Sequence, residues 1–179
     1  MASQGAQVWL DAAYERFTDA GLSAIRVEAL AREIGATKGS FYWHYANRGA
    51  LVDAVMARWE HHATDDIIAF ADAAGTPQER LAALFDIVGS RTRLRGGELT
   101  LYAEAEREGV LDAVARVTQR RIEYVAAILS ELGFDDVQSR SRAAISLAVG
   151  VGAQQLAAGG WRGADEHLTA ALLRMALAP

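Results

Sequence analysis

The chain has 179 residues, 51% of them hydrophobic and 23% charged, with a formal net charge of −5 and no cysteine. This is the composition of a folded globular chain, and the lack of cysteine excludes disulfides, iron–sulfur clusters, thiolate zinc sites and cysteine nucleophiles. The longest largely apolar run, the eleven residues between Arg142 and Gln154 with Ser146 among them, is well short of the about 20 that a membrane span needs. No basic region followed by an apolar stretch opens the chain as a secretory signal would, and a cytoplasmic protein is expected.

Proline occurs only at Pro77 and Pro179, and β-branched residues are sparse beside Ala, Leu, Arg and Glu. That balance favours helix nearly throughout, and no alternating, turn-punctuated strand pattern competes with it. The fold class expected is all-α, with about nine helices. The first runs from Gln4 to Ala20 with Trp9, Ala13 and Phe17 on one face, and Gly21 ends it. A short helix follows from Val27 to Ile34, closed by Gly35. Thr37 is placed to cap a third, from Lys38 to Tyr45, and Asn47 a fourth that runs through Leu51, Val55 and Trp59 to about Phe70. Thr76, Pro77 and Glu79 form a capping box before a helix to about Thr92. Gly96-Gly97 is read as a break, followed by helices over 98–107, 111–132 and 136–158. Gly159-Gly160 is read as another break before a last helix from Asp165 to Leu177.

Charge is uneven along this order. Residues 1–50 carry five basic and five acidic side chains, and residues 51–179 thirteen and eighteen. The stretch from Ile34 to Val52 holds Lys38, His44 and Arg48 and no acid, and Lys38 is the only lysine of the chain. Two short helices joined by a tight turn at Gly35 make a helix-turn-helix candidate, in which one helix braces another that enters the major groove of DNA. Phe41 and Tyr45 supply apolar anchors. Thr37, Lys38, Ser40, Tyr42, Trp43 and His44 point in other directions, and Trp43 is equally suited to reading DNA or to packing on the first helix.

Residues 5–60 resemble the DNA-binding domain of the tetracycline-repressor (TetR) family of bacterial transcription regulators. The resemblance rests on Ala13, Phe17, Gly21, Leu30, Ala31, the block from Ile34 through Tyr45, and Arg48 and Leu51. It implies a DNA-binding domain over residues 1–48 and a ligand-binding and dimerisation domain over 49–179. It further implies a homodimer on a palindromic double-stranded operator, most simply a repressor released by a small-molecule inducer, with no catalysis and no cofactor. Carried onto this sequence, Thr37, Lys38, Ser40, Tyr42, Trp43 and His44 face DNA, Gly39 permits close approach, and Arg48 stands near phosphate. The family's usual Thr or Ser at the start of the second helix is replaced by Ile25 and Arg26. Neither is a good cap, although Arg26 offers a charge to phosphate.

Four further features carry candidate chemistry. Trp59, Phe85, Tyr102, Tyr124, Gln154 and Gln155 suit a small-molecule pocket of aromatic faces and amides, though aromatics at helical spacing also build plain core. Glu104 and Glu106 can meet a cationic ligand, or solvent beside Arg107. Glu60, His61, His62, Asp65 and Asp66 have a spacing that can hold a divalent metal, but a solvated polar face is expected and no metal. Gly150, Gly152, Ala153 and Ala157 suit close helix approach, most simply at a dimer interface, with an interior helix packed within one subunit as the alternative. An all-α metal-assisted enzyme and a helical interaction module without DNA binding are the alternatives. The first lacks any nucleophile–base arrangement or phosphate loop, and the second leaves the acid-free stretch unexplained.

Overall fold

The computed structural model describes residues 4–90, 96–158 and 167–178. Among the described residues every regular element is helical. In chain order the α-helices are α1 (Gln4–Ala20), α2 (Val27–Glu33), α3 (Lys38–Tyr42), α4 (Arg48–Glu60), α5 (Asp66–Asp72), α6 (Pro77–Ser90), α7 (Gly96–Glu104), α8 (Leu111–Glu131), α9 (Asp136–Ala158) and α10 (Leu168–Leu177). A π-helical turn over His61–Asp65 lies between α4 and α5 in the chain. The Gly159-Gly160 break, the expected helix start at Asp165 and the expected end near Thr92 lie outside the described residues.

The chain divides into two compact units, Met1–Glu60 with Arg95–Val114, and His61–Leu94 with Ala115–Pro179. The sequence reading closes its first domain at residue 48; by compactness the first unit runs on through Glu60 and takes in α7.

In the first unit α1 buries Trp9, Ala13 and Phe17, one turn apart on a single face. A 3₁₀ turn over Leu22–Ala24, absent from the sequence reading, buries Leu22 and leads into buried Ile25. Arg26 precedes α2 without a side-chain capping bond, as its chemistry predicts. Gly35 adopts φ +66°, and the Ala36 amide donates to the Ala31 carbonyl at 2.8 Å, which closes α2 in a left-handed turn that glycine makes without strain. Thr37 caps α3 as expected, its Oγ1 accepting from the Ser40 amide at 3.1 Å. The helix is shorter than expected: after Tyr42 the chain turns, with the His44 and Tyr45 amides both donating to the Phe41 carbonyl. Asn47 Oδ1 accepts from the Ala50 amide at 3.0 Å and so caps α4.

Gly96-Gly97 is not a break but the start of α7, and the reason is steric. α7 lies so close to α1 that a Cβ on Gly97 would fall 1.6 Å from the Phe17 carbonyl oxygen and 2.5 Å from the Gly21 nitrogen.

In the second unit the core joins Leu81 and Phe85 of α6, Val125, Ile128 and Leu129 of α8, Ala143 and Ala153 of α9, and Leu168 and Leu172 of α10. The predicted capping box opens α6: the Thr76 amide donates to Glu79 Oε2 at 2.9 Å and the Glu79 amide to Thr76 Oγ1 at 3.3 Å. Asp135 repeats the device at α9, accepting from the Gln138 amide at 2.9 Å. The π turn was not foreseen, and its support comes from far along the chain. Arg121 donates to the Ala63 carbonyl at 2.9 Å and to the hydroxyl of buried Thr64 at 3.0 Å.

α9 has two faces. Ser139, Ala143, Ser146, Gly150 and Ala153, spaced at three and four residues, are buried within the unit. Two of the small residues, Gly150 and Ala153, therefore take the interior alternative and line this inward seam. Gly152 lies elsewhere, with nothing within 4 Å of a Cβ placed on it.

Gly97→Ala is expected to destabilise the protein by at least about 3 kcal/mol, because the added methyl meets backbone rather than a side chain that can turn away. For a chain of this size that is a fall of roughly 6–12 °C in thermal midpoint, read by circular dichroism.

Candidate nucleic-acid interface

A five-residue helix is too short to hold itself, so α3 must be held by what it packs on. Phe41 does this: it is fully buried, with its ring edge-on to Trp9 of α1 at 5.1 Å between centroids and stacked with Tyr45 at 5.7 Å. Tyr45 in turn donates its hydroxyl to the Ala6 carbonyl at 3.0 Å, and burial pushes its pKa up. With Phe41 inward, helical geometry turns its neighbours out. Tyr42 is 55% exposed and Trp43 87% exposed. The aromatic that packs against α1 is thus Phe41, and Trp43 stands in solvent.

The polar groups of α3 are partly engaged with one another. The Ser40 hydroxyl donates to the Thr37 carbonyl at 2.8 Å, which leaves its lone pairs open to a donor such as a base amino group. Thr37 Oγ1 is used as an acceptor by its cap, so its hydroxyl proton is the group it can offer to a phosphate oxygen. Gly39 is exposed, and a Cβ there would meet only Thr37 Oγ1, at 3.7 Å. Arg26 is exposed at the start of α2. His44, also exposed, lies against the first turn of α1, where a Cβ on Gly5 would fall 2.5 Å from its Nε2.

Two contacts were not legible in the sequence. Lys38 Nζ donates to Glu28 Oε1 of α2 at 2.5 Å, an exposed pair. The bond holds the Glu28 carboxyl below its ordinary range and the Lys38 ammonium above its own. Arg48, expected near phosphate, also makes contacts inside the unit. Its guanidinium donates to the Ile25 carbonyl at 2.8 Å, the Leu22 carbonyl at 2.6 Å and Glu108 Oε2 at 2.7 Å. It therefore ties the start of α4 to the 3₁₀ turn and to the segment after α7.

Residues 10–55 match the family described as bacterial regulatory proteins, tetR family. Over these residues the chain is similar to that family. Among similar proteins is the HTH-type transcriptional regulator SrpR of Pseudomonas putida, 25% identical over 72% of this chain and 61% of that protein. The match thus spans less than two thirds of that relative's length. The uncharacterized HTH-type transcriptional regulator TtgW, also of Pseudomonas putida, is 24% identical over 69% of this chain and 93% of its own. The fold is similar to that of SCO4454, a TetR-family transcriptional regulator from Streptomyces coelicolor, with a TM-score of 0.81 and 16% identity over 98% of this chain and 88% of that one.

The candidate ligand residues fall in both units. Trp59 is buried in α4 and Tyr102 half-buried in α7, in the first unit. In the second, Phe85 is part of the apolar core. Tyr124 donates its hydroxyl to Asp72 Oδ1 at 2.7 Å, and burial first, then this bond, pushes its pKa well up. Gln154 is half-buried and Gln155 exposed on α9.

The histidines of the π turn face carboxylates. His61 Nδ1 lies 3.4 Å from Asp65 and His62 Nδ1 2.9 Å from Asp66, while Arg120 approaches Asp65 at 2.6 Å. Among the described residues no three His, Asp or Glu side chains are grouped to hold a metal ion. Glu104 pairs with Arg107 at 2.8 Å, and Glu106 is exposed. No helix among the described residues is long and apolar enough to cross a membrane.

Arg48→Lys is expected to destabilise the protein by about 1–3 kcal/mol, since an ammonium cannot reproduce the planar fork that serves two carbonyls and a carboxylate. Urea unfolding monitored by circular dichroism should show a lower midpoint at an unchanged slope.

Proposed function

We propose that this tetR-family protein is a ligand-responsive, DNA-binding transcriptional regulator without catalytic activity. In its simplest form it is a cytoplasmic repressor that leaves a palindromic operator when a small-molecule inducer binds. Residues 1–48 bind DNA; residues 49–179 bind the ligand and dimerise. The observation that carries this reading is the burial of Phe41, which holds α3 while Tyr42 and Trp43 are displayed with Thr37, Lys38 and Ser40 around them. Exposed aromatics beside hydroxyl groups on a fixed short helix suit a major groove, where base edges offer donors, acceptors and the thymine methyl. The names of SrpR and TtgW as HTH-type transcriptional regulators support the same reading.

Control by a ligand requires only that inducer bind one conformation better than the other. Trp59, Phe85, Tyr102, Tyr124, Gln154 and Gln155 are the candidates for that contact. A homodimer is supported by the outward face of α9. Val137, Ile145, Val149 and Leu156 are exposed there, and the last three follow one another at four and seven residues, a stripe fit to pair with a second helix.

Selection from random-sequence duplex DNA should enrich an inverted repeat whose half-sites lie about one helical turn apart, roughly 34–36 Å. Tyr42→Ala should weaken binding to the enriched duplex by roughly tenfold, the equivalent of about 1–2 kcal/mol, as for loss of one base-edge contact. Binding that does not depend on salt, or no enrichment of any sequence, would reject DNA recognition.

Gly152→Leu separates the dimer from the fold. The open surroundings of Gly152 accept a side chain within the chain itself, and a helical glycine replaced by leucine gains helix propensity of several tenths of a kcal/mol. The variant is expected to keep the thermal stability of its own helices yet sediment as a monomer at low micromolar concentration. Unchanged dimerisation would move the interface away from this face of α9.

A further inference from the structure

Between Ile34 and Val52 the sequence offers two permanent cations and no acid, yet the fold brings a carboxylate to each from outside. Glu108 meets Arg48 and is almost buried, with 9% of its side chain exposed; that pair is part of the packing of the first unit. The Glu28–Lys38 pair differs. Both side chains are more than half exposed, so the pair adds little to stability and its charge is felt mainly by what approaches the surface. Arg32, one turn along α2, also lies within electrostatic reach of Glu28, and Tyr42 within reach of Lys38. On the same helix Glu33 is bound to Arg16 at 2.9 Å.

Sequence-independent attraction to DNA grows with the number of phosphates that cationic side chains neutralise. An ammonium held 2.5 Å from a carboxylate presents almost no net charge to a phosphate, and any phosphate that replaces the carboxylate must approach another anion. Contacts to base edges by hydroxyl and aromatic groups carry no such penalty. We propose that Glu28 is a specificity-determining residue, a built-in counter-anion that cancels the pull of Lys38 on arbitrary DNA and leaves Ser40, Tyr42 and Trp43 to decide where the protein stays bound. The proposal rests on the DNA-binding reading above and deepens it. Glu28 favours the correct site by weakening all the wrong ones, and specificity is that ratio, not the affinity for either.

Glu28→Gln tests this, because glutamine keeps the shape and can still accept from Lys38 while removing the negative charge. The probes are a 30-base-pair mixed-sequence duplex and the duplex enriched by selection, titrated by fluorescence anisotropy between 50 and 200 mM KCl with the full-length protein. The variant should bind the mixed-sequence duplex more tightly, with a salt slope steeper by about 0.9 per protomer, a factor of roughly three to four over that fourfold salt range. Its preference for the enriched duplex should fall. Glu28→Gln combined with Lys38→Gln restores the net charge of the pair and should return the slope to the wild-type value. An unchanged slope and unchanged mixed-sequence affinity in Glu28→Gln would overturn the proposal. So would a selective loss of binding to the enriched duplex, which would make Glu28 a direct contact. Failure of wild type and variant alike to bind either duplex at any salt would instead reject the DNA-binding reading.

Discussion

The first unit depends on a single buried ring. α3 has five residues and cannot pay the entropy of its own nucleation, so its geometry is borrowed from the contact of Phe41 with Trp9 and Tyr45. Once Phe41 is fixed, the 100° step of a helix and the turn after Tyr42 determine where Tyr42 and Trp43 stand. An edge-on aromatic pair of this kind adds about 0.5–1.5 kcal/mol beyond the area it buries. That is modest as stability, but it sets the orientation of every side chain offered to a partner. The Tyr45 hydroxyl bond to Ala6 and the His44 ring against Gly5 secure the far end of the same segment to α1.

Arg48 shows how the same fold uses charge for construction. The 3₁₀ turn leaves the Leu22 and Ile25 carbonyls aimed at one point, and Glu108 approaches that point from the segment after α7. Three acceptors around one planar donor suit a guanidinium and no other side chain. A basic residue near the start of α4 reads from sequence as a phosphate contact. In three dimensions its Nε and Nη2 also bind acceptors within the first unit, and the residues that supply them lie more than twenty positions away on either side.

What was legible in the sequence was local. Thr37, Asn47 and the Thr76–Glu79 box cap helices through bonds to residues three positions on, so spacing alone identified them. The block from Gly35 to Tyr45 was legible for the same reason, since turn, cap and anchor are contiguous. Contacts between distant segments were not. Gly97 reads as a helix breaker until Phe17 is seen beside it, and Gly150 with Ala153 reads as an external face until the second unit's core is seen to lie on that side. The π turn depends on Arg121, 57 and 58 positions from its partners Thr64 and Ala63. No periodicity within residues 61–65 announces it.

The same distinction governs the reading of charge. A net charge of −5 argues against nucleic acid only if charge acts as a sum over the chain. In physiological salt it acts over about 8 Å, the screening length, so the relevant quantity is the set of groups that touch a phosphate. By that measure the acid-free stretch is also misleading, because its lysine and arginine acquire carboxylates from α2 and from the segment after α7. Neither the total nor the linear pattern describes the surface; only the pairing does. With its one lysine matched by Glu28, α3 is left to present hydroxyl and aromatic groups, and it displays them around a fixed Phe41.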